Sequence, residues 1–284
     1  MKQTWKKVLT SASVFIIGGW LLLVLIETFK AKNTGFETKT LWDWLELLII
    51  PFVLSIGAFY LNRSERAIER LTAEARAKLE REIATDRQQE ASLQSYLDRM
   101  SELLINENFN TSATLRNVAR IRTLTVLRGL DEKRKGLVLL FLQEAELIHK
   151  DSRIVNLRGA DLQKAYLWGA DLHNADLEQV NLQGANLAGA NLDESILTFA
   201  NLEKANLYRA YLRLAIMRNV NLENANLSEA HLSEAQLTSA NLKEANLESS
   251  YLMSANLRNA DVTKANMRGA FLDNTTMPDG TIHD

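Results

Sequence analysis

The 284-residue chain has no cysteine, two prolines and four histidines. Without cysteine there is no disulfide framework and no thiolate metal site. His149, His173, His231 and His283 are scattered, and none stands at a metal-ligand spacing from another. There is also no glycine-rich phosphate loop and no nucleophile paired with a base. These absences point away from enzymes, so no catalytic residue, cofactor or metal is expected. The net charge of −2 hides a split. Residues 155–284 hold 10 Lys/Arg and 16 Asp/Glu, a balance of −6, and the first 154 residues hold the other 23 and 19, a balance of +4.

Two apolar runs stand near the N-terminus. Residues 8–26, "VLTSASVFIIGGWLLLVLI", carry no charge, and residues 44–61, "WLELLIIPFVLSIGAFYL", carry one acid, Glu46. Each is long enough as a helix for a hydrocarbon core of about 30 Å, so a transmembrane hairpin is expected over 1–61, with the lipid bilayer as a partner. The first run is long for a cleaved signal peptide, and no small-residue cleavage pattern comes after it. Lys2, Lys6 and Lys7 precede the first run, and Arg63, Arg66, Arg70 and Arg76 come after the second. The positive-inside rule then places both ends in the cytoplasm, against the weight of Lys30, Lys32 and Lys39 in the connection. The expectation is an integral protein of a plasma or thylakoid membrane.

Residues 62–108 read as a charged helical stalk. Arg70, Glu74, Lys78 and Glu82 alternate in sign four residues apart, a spacing that supports a helix. Residues 109–150 read as a small helical capping domain of two helices, with Gly129 ending the first and Asp131 capping the second. Leu137, Val138, Leu140, Phe141, Leu147 and Ile148 supply apolar area to cover the segment that begins at Val155. The window around them is basic. Arg116, Arg120, Arg128, Lys133, Arg134 and Lys135 form a candidate contact for an anionic surface, and a solvated basic face is the plainer reading.

From Val155 the sequence keeps a five-residue period without an insertion. Its 25 centres run from Leu157 to Met277, and all are Leu except Met217, Val262, Met267 and Met277. Ala stands two residues before the centre in 19 of them. A period of five fits neither a helix nor a strand, and strict self-similarity points to a solenoid. The words resemble those of the pentapeptide-repeat proteins, A-(D/N)-L-x-x. "TLWDWLELLIIPFVLSIGAFYLNRSE" and "RNVARIRTLTVLRGLDEKRKGLVLLFLQEAELI" look like the N-terminal parts of membrane-anchored members common in cyanobacteria. The resemblance implies a right-handed quadrilateral β-helix over 151–284, with four words per coil and the Leu and Ala side chains inward. The whole chain would then be α+β and multidomain: hairpin, stalk, helical domain and β-helix.

With twenty residues per coil, residues twenty apart stack at roughly 4.8 Å. Tyr211, His231, Tyr251 and Phe271 then form one column, and Ile196 and Ile216 a column on the next face. Phe199, Leu214 and Met253 lie in adjacent outward slots, and Tyr208 flanks from the other side. Together these ten residues make a candidate partner-binding patch on an otherwise polar prism. The function expected is a membrane-anchored, non-enzymatic scaffold presenting its β-helix to an unidentified protein, with self-association as a homo-oligomer in view and nucleic acid not expected. One alternative is the nucleic-acid mimicry by which some members of this family bind DNA gyrase. Another is a membrane effector whose hairpins cluster on partner binding.

Overall fold

The computed structural model describes residues 41–107, 109, 111–148 and 155–283. The chain divides into two compact units, Met1–Lys78 and Leu79–Asp284. Helix α1 spans Leu41–Leu104 and is continuous through residue 61, where hairpin and stalk are expected to meet. The first apolar run, 8–26, lies outside the described residues. Among the described residues no helix is long and apolar enough to cross a membrane. In the second run the described side chains start at Ile49, and Asn62, Arg63, Glu65 and Arg66 come after Leu61. The expected pair of transmembrane helices is therefore not part of the described structure. What is present is an apolar helical segment exposed along its whole length, with Phe52, Leu54 and Phe59 each more than 60% accessible. The Ser55 hydroxyl donates to the Pro51 carbonyl at 2.6 Å within it.

In the second unit, Leu93, Tyr96 and Met100 of α1 are buried with helices α2, Ala113–Gly129, and α3, Glu132–Glu144. Near residue 108, where stalk and helical domain are expected to meet, the end of α1 packs into the same core as α2 and α3. Ser112 caps α2 by accepting from the Leu115 N–H, and Asp131 caps α3 by accepting from the Arg134 N–H. The Tyr96 hydroxyl and the Thr123 hydroxyl share a buried hydrogen bond of 2.9 Å, and burial pushes the Tyr96 phenol up to about 12.

The first coil of the solenoid has backbone donors with no coil beneath them, and the helices satisfy several. The Tyr166 N–H donates to the Glu132 carbonyl at 2.9 Å, and the Asp171 N–H donates to Gln143 Oε1 at 3.1 Å. Gly136 makes the close approach of α3 possible, since a Cβ there would stand 2.3 Å from the Tyr166 carbonyl oxygen. Val138, Leu139, Leu142, Leu147 and Ile148 are buried in the shared core. Leu137 and Leu140, expected among them, face outward instead.

From Asp161 to Thr276, residue i pairs with residue i+20 through a single parallel bridge. One coil is therefore four five-residue words, and the solenoid has four sides. The first side is centred on Leu177, Leu197, Met217, Leu237 and Leu257, and the second on Leu182, Leu202, Leu222 and Leu242. The third is centred on Leu187, Leu207, Leu227 and Leu247, and the fourth on Leu192, Leu212, Leu232 and Leu252. All of these centres are buried, as are most of the alanines two residues before them. A buried Leu contributes about 2 kcal/mol.

Each word uses one residue for the bridge and turns at its end. The residue two after the centre is left-handed, as at Lys204 (φ 57°) and Asn224 (φ 59°), and the next N–H donates back to the centre's carbonyl, as Ala205 does to Leu202 at 3.0 Å. Pairing never lasts long enough to build a strand, so the sides are single bridges between corners. The described strands are β1, Thr275–Thr276, and β2, Ile282–His283, an antiparallel pair that closes the first side.

Leu222 is fully buried, whereas Glu223 points outward to Lys243 at 3.5 Å. Leu222→Asp should cost roughly 4 kcal/mol or more, because a carboxylate in the dry interior has no partner. Glu223→Ala should stay within about 0.5 kcal/mol of the wild type. Thermal unfolding of the two variants followed by circular dichroism checks this, and equal losses would mean that the inward and outward positions are misassigned.

Candidate partner-binding surface

The four sides carry different outward columns. On the second, Asn201, Asn221 and Asn241 each donate from Nδ2 to Oδ1 of the asparagine one coil below, starting from Asn181, at 3.0–3.4 Å. On the third, Asn206, Asn226, Asn246 and Asn266 do the same, starting from Asn186, at 3.0–3.3 Å. Many of these Oδ1 atoms also accept the N–H two residues on, as Asn221 does from Glu223 at 3.2 Å.

On the fourth side the amide column gives way to rings. Tyr211 and His231 stack at 5.0 Å, His231 and Tyr251 at 4.6 Å, and Tyr251 and Phe271 at 4.9 Å, with interplanar angles of 10° or less. This spacing is the coil-to-coil distance, so the ladder is set by the backbone pitch. The N–H of Arg213, which an asparagine at 211 would have served, donates instead to Asp193 Oδ1 one coil below at 2.7 Å.

The other expected patch residues fall around this ladder. Ile196 and Ile216 are bridge partners on the adjoining first side. Leu214 occupies the corner between the fourth and first sides, with φ 57° and 42% of its surface exposed. Met253 sits beside the ladder on the fourth side, half-buried. Phe199 lies at the far corner of the first side, left-handed at φ 59° and 57% exposed. Tyr208 is engaged elsewhere: its hydroxyl donates to Glu229 at 3.2 Å, and Arg209 lies over its ring at 5.0 Å while binding Glu229 at 2.7 Å. The Arg209 guanidinium holds the Glu229 carboxyl below the usual range.

The charges also sort by side. Residues 200–259 are three full coils. Across them the second and third sides hold Lys204, Arg209 and Lys243 against five glutamates, a balance of 3 − 5 = −2. Each of those three cations has a carboxylate partner. The fourth and first sides hold Arg213, Arg218 and Arg258 against Glu234, a balance of 3 − 1 = +2. The first side has no carboxylate from Ser195 to Asn259.

The six basic residues around α2 and α3 do not form one surface. Arg134 is a latch, reaching Asp86 at 2.7 Å and Glu90 at 3.0 Å on α1 as well as the Asp131 carboxylate. These partners raise its pKa. Lys135 is buried, with its Nζ 3.3 Å from the Gln163 carbonyl and 3.5 Å from Asp161. Arg120 donates to the Arg158 carbonyl at 3.0 Å. Arg128 and Lys133 are exposed, and Arg116 is half-buried.

Two further exposed aromatics lie outside the expected patch. Tyr166 and Trp168, at 55% and 66% exposure, begin the third side. Their signal is the same as that of the ladder, since Tyr166 takes the slot that asparagine fills on every later coil of that side.

A family model described as pentapeptide repeats matches the chain in eight copies, over residues 156–193, 175–213, 195–233, 215–252, 230–269 and 255–278. No curated protein matches. Among solved structures, the pentapeptide repeat protein Rfr23 from the cyanobacterium Cyanothece 51142 is 34% identical over 34% of this chain and 66% of its own, with a TM-score of 0.32. HetL, a pentapeptide repeat protein involved in heterocyst differentiation regulation from the cyanobacterium Nostoc sp. strain PCC 7120, is 35% identical over 45% of this chain and 77% of its own, with a TM-score of 0.21. Full-length QnrB1, a plasmid-mediated fluoroquinolone resistance protein, is 16% identical over 44% of this chain and 84% of its own, with a TM-score of 0.21.

The latch around Arg134 responds to acid. Burial disfavours the Asp131 carboxylate, but the Arg134 N–H, the Arg134 guanidinium and the Lys133 N–H outweigh it and hold the carboxyl below its ordinary value. A depressed carboxyl contributes stability that is present above the unfolded value near 4 and is lost as pH falls through the folded one. Unfolding of the helical region monitored from pH 7 to 2 should show this loss below about pH 4, and Asp131→Asn should remove that part of the pH dependence while lowering stability at neutral pH. An unchanged acid limb in the variant would mean that the latch contributes nothing.

Proposed function

Because the chain belongs to the pentapeptide-repeat family through residues 156–278, we propose that it is a membrane-attached, non-enzymatic scaffold. Its solenoid, read as a right-handed four-sided β-helix, presents the edge between the fourth and first sides to a protein partner. The observation that carries this reading is the four-ring ladder at 4.6–5.0 Å with Ile196, Ile216 and Leu214 beside it. Exposed aromatic and aliphatic side chains grouped on one edge are the composition of a partner site. Tyr208, committed to Glu229, belongs to the rim. A nucleic-acid mimic needs negative charge around the prism, and a first side without a carboxylate from Ser195 to Asn259 speaks against that alternative.

Attachment to a bilayer is supported by the apolar helical segment 49–61, whose exposed side chains on every face are costly to leave in water. The uncharged run 8–26 adds a second apolar element. The basic residues after Leu61 support a cytoplasmic solenoid.

Two outcomes are expected. The full chain should sediment with membranes and resist alkaline carbonate extraction, and removal of residues 1–61 should release it to the soluble fraction; recovery of the full chain without detergent would end the membrane reading. The triple variant Tyr211→Asn, Ile216→Asn, Tyr251→Asn restores the family's common residue at three outward positions. Its melting temperature should stay within a few degrees, since surface substitutions change stability by about 0.5 kcal/mol or less, while a partner captured from solubilised membranes on the wild type is lost. Retention of every partner by a folded variant would leave the ladder as packing alone.

A further inference from the structure

We propose that the edge carrying the ring ladder is built for an acidic protein segment that also bears aliphatic or aromatic side chains. The proposal rests on the partner-site reading above and adds the chemistry of the partner. Its basis is the state of three arginines. Arg213 and Arg258 have no carboxylate partner among the described residues, and Arg218 donates only to the neutral Gln236 Oε1, at 2.5 and 3.1 Å. On the second and third sides of the same coils, Lys204, Arg209 and Lys243 are each paired with a glutamate. Unpaired guanidinium groups therefore coincide with the apolar edge, and the paired cations lie elsewhere.

The arrangement has a direct physical consequence. A guanidinium with no internal carboxylate gives up no ion pair when a partner's carboxylate arrives, and its planar fork accepts that carboxylate through two N–H donors. The stacked rings and Ile216 exclude water beside it, which strengthens the pair once the surface is covered. On these three coils the second and third sides, with a balance of −2, repel the same segment, while Asp193 and Glu194 below and Asp273 above confine the favourable stretch to residues 200–259, so orientation is set by charge and adhesion by the rings. A basic segment would meet the reverse field and be drawn to the second and third sides, where no such apolar group stands on these coils.

The test is selection of a phage-displayed library of random dodecapeptides on the immobilised full chain. Enriched peptides should combine Asp or Glu with Leu, Ile, Phe or Trp. A synthetic enriched peptide, monitored by fluorescence anisotropy, should bind at least tenfold more weakly to Arg213→Gln, Arg218→Gln, Arg258→Gln, and its affinity should fall with added salt. Arg213→Gln alone, which removes no side-chain hydrogen bond or ion pair among the described residues, should show part of the loss with an unchanged melting temperature. Enriched peptides without an acidic excess, or acidic ones indifferent to the arginine variants, overturn the proposal while leaving the partner-site reading intact. Peptides whose binding survives Tyr211→Asn, Ile216→Asn, Tyr251→Asn overturn that reading as well. Binding of anionic vesicles or single-stranded oligonucleotide that the arginine variants abolish, with no acidic peptide enriched, overturns the proposal in favour of a phosphate ligand.

Discussion

The corner of each word is the constraint on which the solenoid depends. Almost every word from Gly159 to Asn274 places its second post-central residue near φ +55° to +71°, and most of these residues are not glycine. A side chain in that region costs roughly 1 kcal/mol. The cost is offset because each corner lets the next Leu and Ala turn inward, where a Leu contributes about 2 kcal/mol of burial. Corner and core are thus one device, repeated, and neither is stable without the other. Phe199 and Leu214 accept the left-handed conformation with bulky side chains, so two of these corners display apolar groups that a less constrained chain would bury.

The same backbone gives the sides their individuality. Since the coil repeat fixes the interval between stacked side chains, any column becomes a ladder of whatever residue occupies it. Amides in that position donate hydrogen bonds to the coil below on the second and third sides, and rings stack on the fourth. Polar self-satisfaction on two sides and apolar exposure on the others therefore share one geometry. The difference between an inert wall and an adhesive one is written only in the residue before the centre and the two after it.

This regularity decides what the sequence reveals. Inward Leu222, outward Glu223 and the stacking of Tyr211, His231, Tyr251 and Phe271 come from counting in fives and twenties, because no insertion disturbs the count. The helical region offers no such ruler. Its helices α2 and α3 and the Asp131 cap are legible from local signals, but Arg134 meets Asp86 and Glu90 more than forty residues away. A basic window that reads as a surface is thereby partly consumed in holding helices together. Lys135 is lost to the first coil in the same way, through Gln163 and Asp161. Tyr166 and Trp168 are hard to single out in the sequence because they open their side, ahead of the amide column against which they would stand out.

Four words per coil also make the solenoid a device with an azimuth. Removing twenty residues would delete one complete rung and lower everything above it by about 4.8 Å, leaving each side chain pointing where it did. Removing five would keep every Leu and Ala inside and every corner legal, yet would rotate all later words by a quarter turn relative to the helices that hold the first coil. The ladder would then face a new direction with its chemistry untouched. Lineages can therefore re-aim such a surface by the loss or gain of one word, a change invisible to the core and decisive for whatever must reach it from a fixed direction.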